Sequence, residues 1–119
     1  MCGLCRIVFV KRTRSLLPAT THALTALGAQ IAAGRREHGW SAADLAGRLG
    51  VAPALVGRIE RGAPGTAVGT VLEAAIVCGV PLFSVDAEEL PGVAALARDR
   101  LALLPRRVHR RRIEIDDDF

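Results

Sequence analysis

Apolar residues recur at helical spacing through the middle of the chain, interrupted at short intervals by glycine or proline. Over Leu24–Trp40 the positions Leu24, Leu27 and Ile31 predict a first helix, with Arg35 and Arg36 on its following turn. His38-Gly39 stops it, because glycine takes the left-handed cap conformation without a side-chain clash. Ser41 reads as an N-cap with Asp44 three residues on, a shortened capping box. It precedes a short helix over Ala43–Leu49 that turns Leu45, Ala46 and Leu49 inward and ends at Gly50. A third helix opens with Ala52 at the cap and Pro53 at the first helical position, where the missing N–H costs nothing. It runs to about Arg61, with Leu55 or Val56 and Ile59 available to the core, and Gly62 closes it.

Beyond the turn Ala63-Pro64-Gly65, a fourth helix over Ala67–Cys78 is expected to bury Val68, Val71, Leu72, Ala75 and Ile76. Gly79-Val80-Pro81 breaks it, and Leu82 and Phe83 are expected to plug the bottom of the core. Asp86–Leu90 reads as another helical turn, and Gly92–Leu104 as a last helix with Val93, Leu96, Leu101 and Leu104 as its apolar positions. No strand-period segment interrupts residues 24–104, so the expected fold is all-α, with five or six helices.

Two short helices joined through Leu49-Gly50-Val51 constitute a helix-turn-helix. Ala46 must be small where the helices cross, and Gly50 occupies the tight turn, where positive φ is easiest for glycine. Val56 and Ile59 pin the second helix so that its outer face can enter a major groove. The stretch resembles the Xre or phage-repressor-like helix-turn-helix family. The resemblance is carried by Leu27-Gly28 through Ile31, Gly39-Trp40-Ser41, Asp44-Leu45-Ala46, Leu49-Gly50-Val51, Arg58-Ile59-Glu60-Arg61-Gly62 and Thr70-Val71-Leu72. It implies a lambda-repressor-like domain over residues 24–83, bound to double-stranded DNA as a homodimer.

Carried over residue by residue, the resemblance places Ser41 and Ala42 at the start of the helix that lies across the phosphate backbone. Family members commonly hold a glutamine where this chain has Ala42, which removes one phosphate contact. Ala52, Pro53, Ala54, Leu55, Gly57 and Arg58 occupy the groove-facing positions of the recognition helix, residues 52–61. Of these only Arg58 can hydrogen-bond a base edge, bidentate to guanine, while Ala54 and Leu55 can touch thymine methyls. The helix is well placed but poorly armed. Either specificity comes from DNA shape, a second protomer and phosphate contacts through Arg35, Arg36, Arg48 and Arg61, or the fold serves a protein partner and binds DNA weakly. Glu60 reads as a structural ion-pair partner.

Composition narrows the picture. A chain of 119 residues fits one domain. No run approaches the roughly 18 apolar residues of a membrane span. Residues 1–10 lack the charge order of a secretory signal, having only Arg6 before their apolar run. Three cysteines fit a reducing cytoplasm better than a disulfide scaffold. The net charge of +4 is uneven along the chain. Residues 1–23 carry Arg6, Lys11, Arg12 and Arg14 with no acid. Residues 24–62 set five arginines against Glu37, Asp44 and Glu60. Residues 63–104 are acidic overall, and 105–119 join a run of five arginines to Glu114, Asp116, Asp117 and Asp118.

The ends are read separately. Residues 1–23 form an arm of unassigned role, in which 6–10 could make a strand. Residues 84–104 are expected to add a helix packed on the domain. In the tail, residues 105–119, a leucine-proline-arginine segment and an Asp-Asp-Asp-Phe ending resemble the HipB-type antitoxins that pair with HipA-like kinase toxins. On that resemblance Ile113, Ile115, Asp116, Asp117, Asp118 and Phe119 would touch the partner toxin or the other protomer; read without it, the tail is disordered and self-neutralising. Cys2-x-x-Cys5 lacks the further ligands of a zinc site and the βαβ context of a redox motif. With no nucleophile–base pair and no phosphate-binding glycine loop, the expectation is a non-enzyme without metal, cofactor or small-molecule ligand.

Overall fold

Proline near the start opens three of the five helices, and the first of them begins earlier than apolar periodicity indicates. In the computed structural model, which describes residues 15–108, α1 spans Pro18–Glu37, α2 Ala42–Leu49, α3 Pro53–Glu60, α4 Val68–Val77 and α5 Leu90–Ala102. A 3-10 turn covers Ala87–Glu89, and the described residues hold no strand beyond one isolated antiparallel bridge, Leu82 to Val85. The fold is therefore all-helical, as the pattern predicts. Cys2, Cys5, the possible strand at 6–10 and the tail positions Ile113, Ile115 and Asp116 to Phe119 lie outside the described residues.

Pro18 takes an N-terminal helical position, six residues before Leu24. Residues 18–23 are thus helix rather than arm; all are exposed, so they leave no apolar signature. The first four helices close in the same way. The amides of Trp40, Val51, Ala63 and Val80 each donate to the carbonyl five residues back, at 3.1, 3.0, 3.0 and 2.8 Å. Each bond wraps a glycine at positive φ, the Schellman ending that satisfies carbonyls with no partner inside the helix.

The core forms where these four helices meet. Ile31, Leu45 and Val56 are completely enclosed, joined by Ile59, Val71, Ala74, Ala75 and Cys78. On α4 the inward row is Val71, Ala74, Ala75 and Cys78. Val68 and Ile76, expected inside, are 72% and 43% exposed. The register is set by Gly34 of α1, whose Cα lies so near the Cys78 carbonyl that any side chain there would collide with it. Small residues therefore line the α1–α4 contact, and the bulkier neighbouring row is turned out.

Two further expectations are corrected. Phe83 does not plug the core: it stands 74% exposed, and Leu82 is the half-buried residue. Phe83 and Ser84 adopt φ of +55° and +64°, and this left-handed pair swings the ring into solvent. Nor are the expected apolar positions of α5 buried: Leu96, Leu101 and Leu104 are exposed, and Val93, like Leu90, is half-buried. The acidic stretch Asp86 to Glu89 precedes α5, and the Asp86 amide donates to the Glu89 carboxylate at 3.1 Å.

Candidate nucleic-acid interface

The helix pair α2–α3 is assembled from local signals. The Ser41 hydroxyl accepts from the Asp44 amide at 3.0 Å, and the Asp44 carboxylate accepts from the Ser41 amide at 2.8 Å. This reciprocal box satisfies two donors at the start of α2. The backbone hydrogen bond from Ser41, followed by its hydroxyl, holds the Asp44 carboxyl below its ordinary pKa. Ala46 is buried where α2 meets α3, and Gly50, at φ +71°, makes the turn. A β-carbon at Gly50 would meet no atom, so only the backbone conformation demands glycine there.

The back of α3 is fixed by α1. A β-carbon at Gly28 would lie 2.5 Å from the Ile59 carbonyl oxygen, so the two helices touch backbone to backbone. At the end of α3 the Glu60 carboxylate receives both Arg35 Nε, at 2.6 Å, and Arg35 Nη2, at 3.0 Å. Arg35 Nη1 donates to the Trp40 carbonyl at 2.9 Å. The two side chains retain 11% and 13% exposure. Bidentate geometry with little solvent makes this a directional clamp, and hydrogen bonding to Glu60 raises the already high Arg35 pKa. One guanidinium thus joins α1, the α1–α2 turn and the recognition helix.

With Val56 and Ile59 inward and Glu60 clamped, the opposite side of α3 is open. Pro53, Ala54, Arg58 and Arg61 are exposed, as is Ala52 at the cap. Gly57 is half-covered, and a β-carbon there would lie 3.1 Å from Arg61 Nη1, so Arg61 lies back along the helix. Leu55 differs from the expected groove-facing set: it is half-buried and packs against the core. Arg35 leaves the phosphate-facing set because its donors are engaged internally. Arg36 and Ser41 remain exposed, while Ala42 is half-buried.

This geometry agrees with comparison to known families: a helix-turn-helix domain family model matches residues 26–89, more than half of the chain. The chain belongs to that family. The helix-turn-helix domain is of the Xre-like kind, and its matched span takes in α2, α3, α4 and most of α1. No curated protein and no solved structure matches the chain.

Around the helix-turn-helix, one cluster is not foreshadowed by apolar periodicity or charge. The Arg48 guanidinium carbon sits 4.0 Å from the Trp40 ring centroid, a cation–π contact. On the same residue, His38 stacks with a centroid separation of 4.4 Å, and its Nδ1 hydrogen-bonds the Gly34 carbonyl at 2.8 Å. Arg48 stays exposed while held in place. The only signal in the chain is spacing: one aromatic residue in the turn and one arginine two turns into α2. A shallow groove between the end of α2 and the start of α4 is lined by Leu49, Ala67, Gly69, Thr70 and Glu73. Glu73 in its wall opposes an anion there.

Proposed function

We propose that this helix-turn-helix protein is a sequence-selective DNA-binding regulator of transcription that acts by binding and catalyses no reaction. The observation that carries the reading is the exposed side of α3, held from behind by the Arg35–Glu60 clamp and offering Arg58 as its base-reading group. Ala52, Pro53, Ala54 and Gly57 make the rest of that side smooth. A smooth helix approaches a groove closely but has few hydrogen bonds with which to discriminate. Selectivity then rests on Arg58 at a guanine, on DNA shape, and on phosphate contacts from Ser41, Arg36, Arg48 and Arg61. As a homodimer the protein would read two half-sites about one helical turn apart.

The finer reading is an antitoxin that represses its own promoter and captures a HipA-like kinase toxin through its C-terminal tail. The sequence of residues 105–119 supports it, with Ile113, Ile115 and Asp116 to Phe119 as the contacting residues. A second reading, a protein-interaction module with weak DNA affinity, is favoured by the scarcity of polar groups on α3. Fluorescence anisotropy with the duplex upstream of the coding sequence separates them. Selective binding that is abolished in Arg58→Ala supports the regulator, whereas equal, weak binding to any duplex supports the interaction module. Co-purification with the product of the neighbouring reading frame tests the antitoxin; its persistence after deletion of residues 116–119 would discard the tail assignment.

A further inference from the structure

An exposed arginine on a helix ordinarily pairs with an acid one turn away or samples many rotamers in water. Arg48 does neither. Asp44 stands four positions earlier on α2, but its carboxylate accepts from the Ser41 amide at 2.8 Å as half of the capping box. Among the described residues Arg48 forms no ion pair. Its guanidinium carbon lies 4.0 Å from the Trp40 ring centroid instead. An indole face attracts the cation but offers no lone-pair acceptor to its N–H groups. The charge therefore stays unneutralised and the donors stay open.

The indole itself is fixed. Trp40 is half-buried and packs against the core. Its amide donates to the Arg35 carbonyl at 3.1 Å, and its carbonyl accepts from Arg35 Nη1 at 2.9 Å. The same Arg35 guanidinium holds Glu60 at the end of α3. His38 stacks on the ring with a centroid separation of 4.4 Å, and its Nδ1 donates to the Gly34 carbonyl at 2.8 Å. One chain of contacts thus runs from the recognition helix through Arg35 and Trp40 to Arg48. We propose that Trp40 is a positioning residue for DNA binding, which holds the Arg48 guanidinium ready for a backbone phosphate at the Ser41 end of α2. Ser41, Asp44 and Arg48 share one side of α2, and the guanidinium is drawn back to the residue that precedes Ser41. Ordering the arginine before DNA arrives removes that entropic cost from binding. The inference rests on the DNA-binding reading above and adds to it a residue that acts through Arg48.

The test is a set of anisotropy titrations of the full chain with the upstream duplex and a scrambled duplex at several salt concentrations. A phosphate contact carries no sequence information, so its loss should be equal on both. Arg48→Ala should lower affinity by about tenfold and the salt slope by about one. Trp40→Leu should lower affinity by about threefold in the parent and not at all when Arg48→Ala is already present. Trp40→Phe keeps an aromatic face and should retain most of the parental affinity. In the free parent, without DNA, the Arg48 side-chain protons should be shifted upfield by the indole ring current. If Trp40→Leu does not fold, that shift and the Arg48→Ala titrations decide. An equal loss from Trp40→Leu with and without Arg48, parental affinity in a folded Trp40→Leu or in Arg48→Ala, or no upfield shift would overturn the proposal. Equal affinity of the parent for the two duplexes, with these responses intact, would support the proposal and count only against selectivity through Arg58. A parent that binds no duplex would overturn both.

Discussion

Arg35 looks like one more surface arginine of a basic segment, and its partner explains why it is not. The pair Arg35–Glu60 spans 25 positions of sequence, with two short contacts and little solvent. Removing the guanidinium leaves an enclosed carboxylate without its donors, which typically costs about 1–3 kcal/mol. Arg35→Ala should lower the urea midpoint accordingly, with Arg35→Lys recovering only part, because an ammonium cannot span both oxygens. Glu60 was legible in the sequence as a structural ion-pair partner. Arg35 was not, because its partner is identified only by how α1 crosses α3.

Asp44 makes a pH-dependent prediction at the same scale. Its carboxyl is held below its ordinary pKa, chiefly by the Ser41 amide, so the folded state favours the ionised form. A depressed folded pKa contributes stability that is complete above the unfolded value and disappears as pH falls through the folded value. Asp44→Asn should therefore be less stable than the parent at neutral pH, and the gap should close as thermal unfolding is repeated below the ordinary aspartate range. A gap that persists unchanged at low pH would show that the carboxylate charge is irrelevant. Ser41→Ala should destabilise by about 1 kcal/mol by removing the cap.

At the scale of elements, local chemistry made α2 and α3 readable, while tertiary contact decided the rotation of α4. The Ser41 box, Gly50, Pro53 and Gly62 each mark an end by their own conformational preference, and the observed bounds lie close to them. The start of α1 lies among exposed residues, so Pro18 was its only marker. The rotation of α4 depends on which residues face Gly34, which no periodicity within α4 reveals. Gly28 is the corresponding contact beneath α3. Gly28→Ala should force α1 away from the Ile59 carbonyl, costing about 1–3 kcal/mol in overpacking, read as a lowered thermal midpoint. Because the shift bears on the back of α3, DNA affinity should fall in the same variant even at temperatures where it is fully folded.

For the whole molecule, distribution of charge matters more than its sum. Arg48, Arg58 and Arg61 lie exposed on or next to α2 and α3, and Arg36 lies exposed near the end of α1, whereas the acids of residues 86–89 stand before α5, which carries Arg98 and Arg100 of its own. Apolar content alone does not reveal that α5 leaves leucines exposed, since leucines on α5 and leucines in the core have the same pattern in sequence. The placing of cations beside the helix-turn-helix is the more informative feature. It also implies a salt response: withdrawing one arginine from a phosphate, as in Arg36→Ala or Arg48→Ala, should reduce the slope of log affinity against log salt by about one.

The central claim is that the exposed side of α3 reads DNA through Arg58. Its most direct test is anisotropy titration of the protein and Arg58→Ala against the upstream duplex and a scrambled duplex at several salt concentrations. The expected outcome is a preference for the upstream duplex that shrinks by about 1–3 kcal/mol in the variant, with the salt slope reduced by no more than about one. Equal affinity for both duplexes, or a preference untouched by Arg58→Ala, would contradict it.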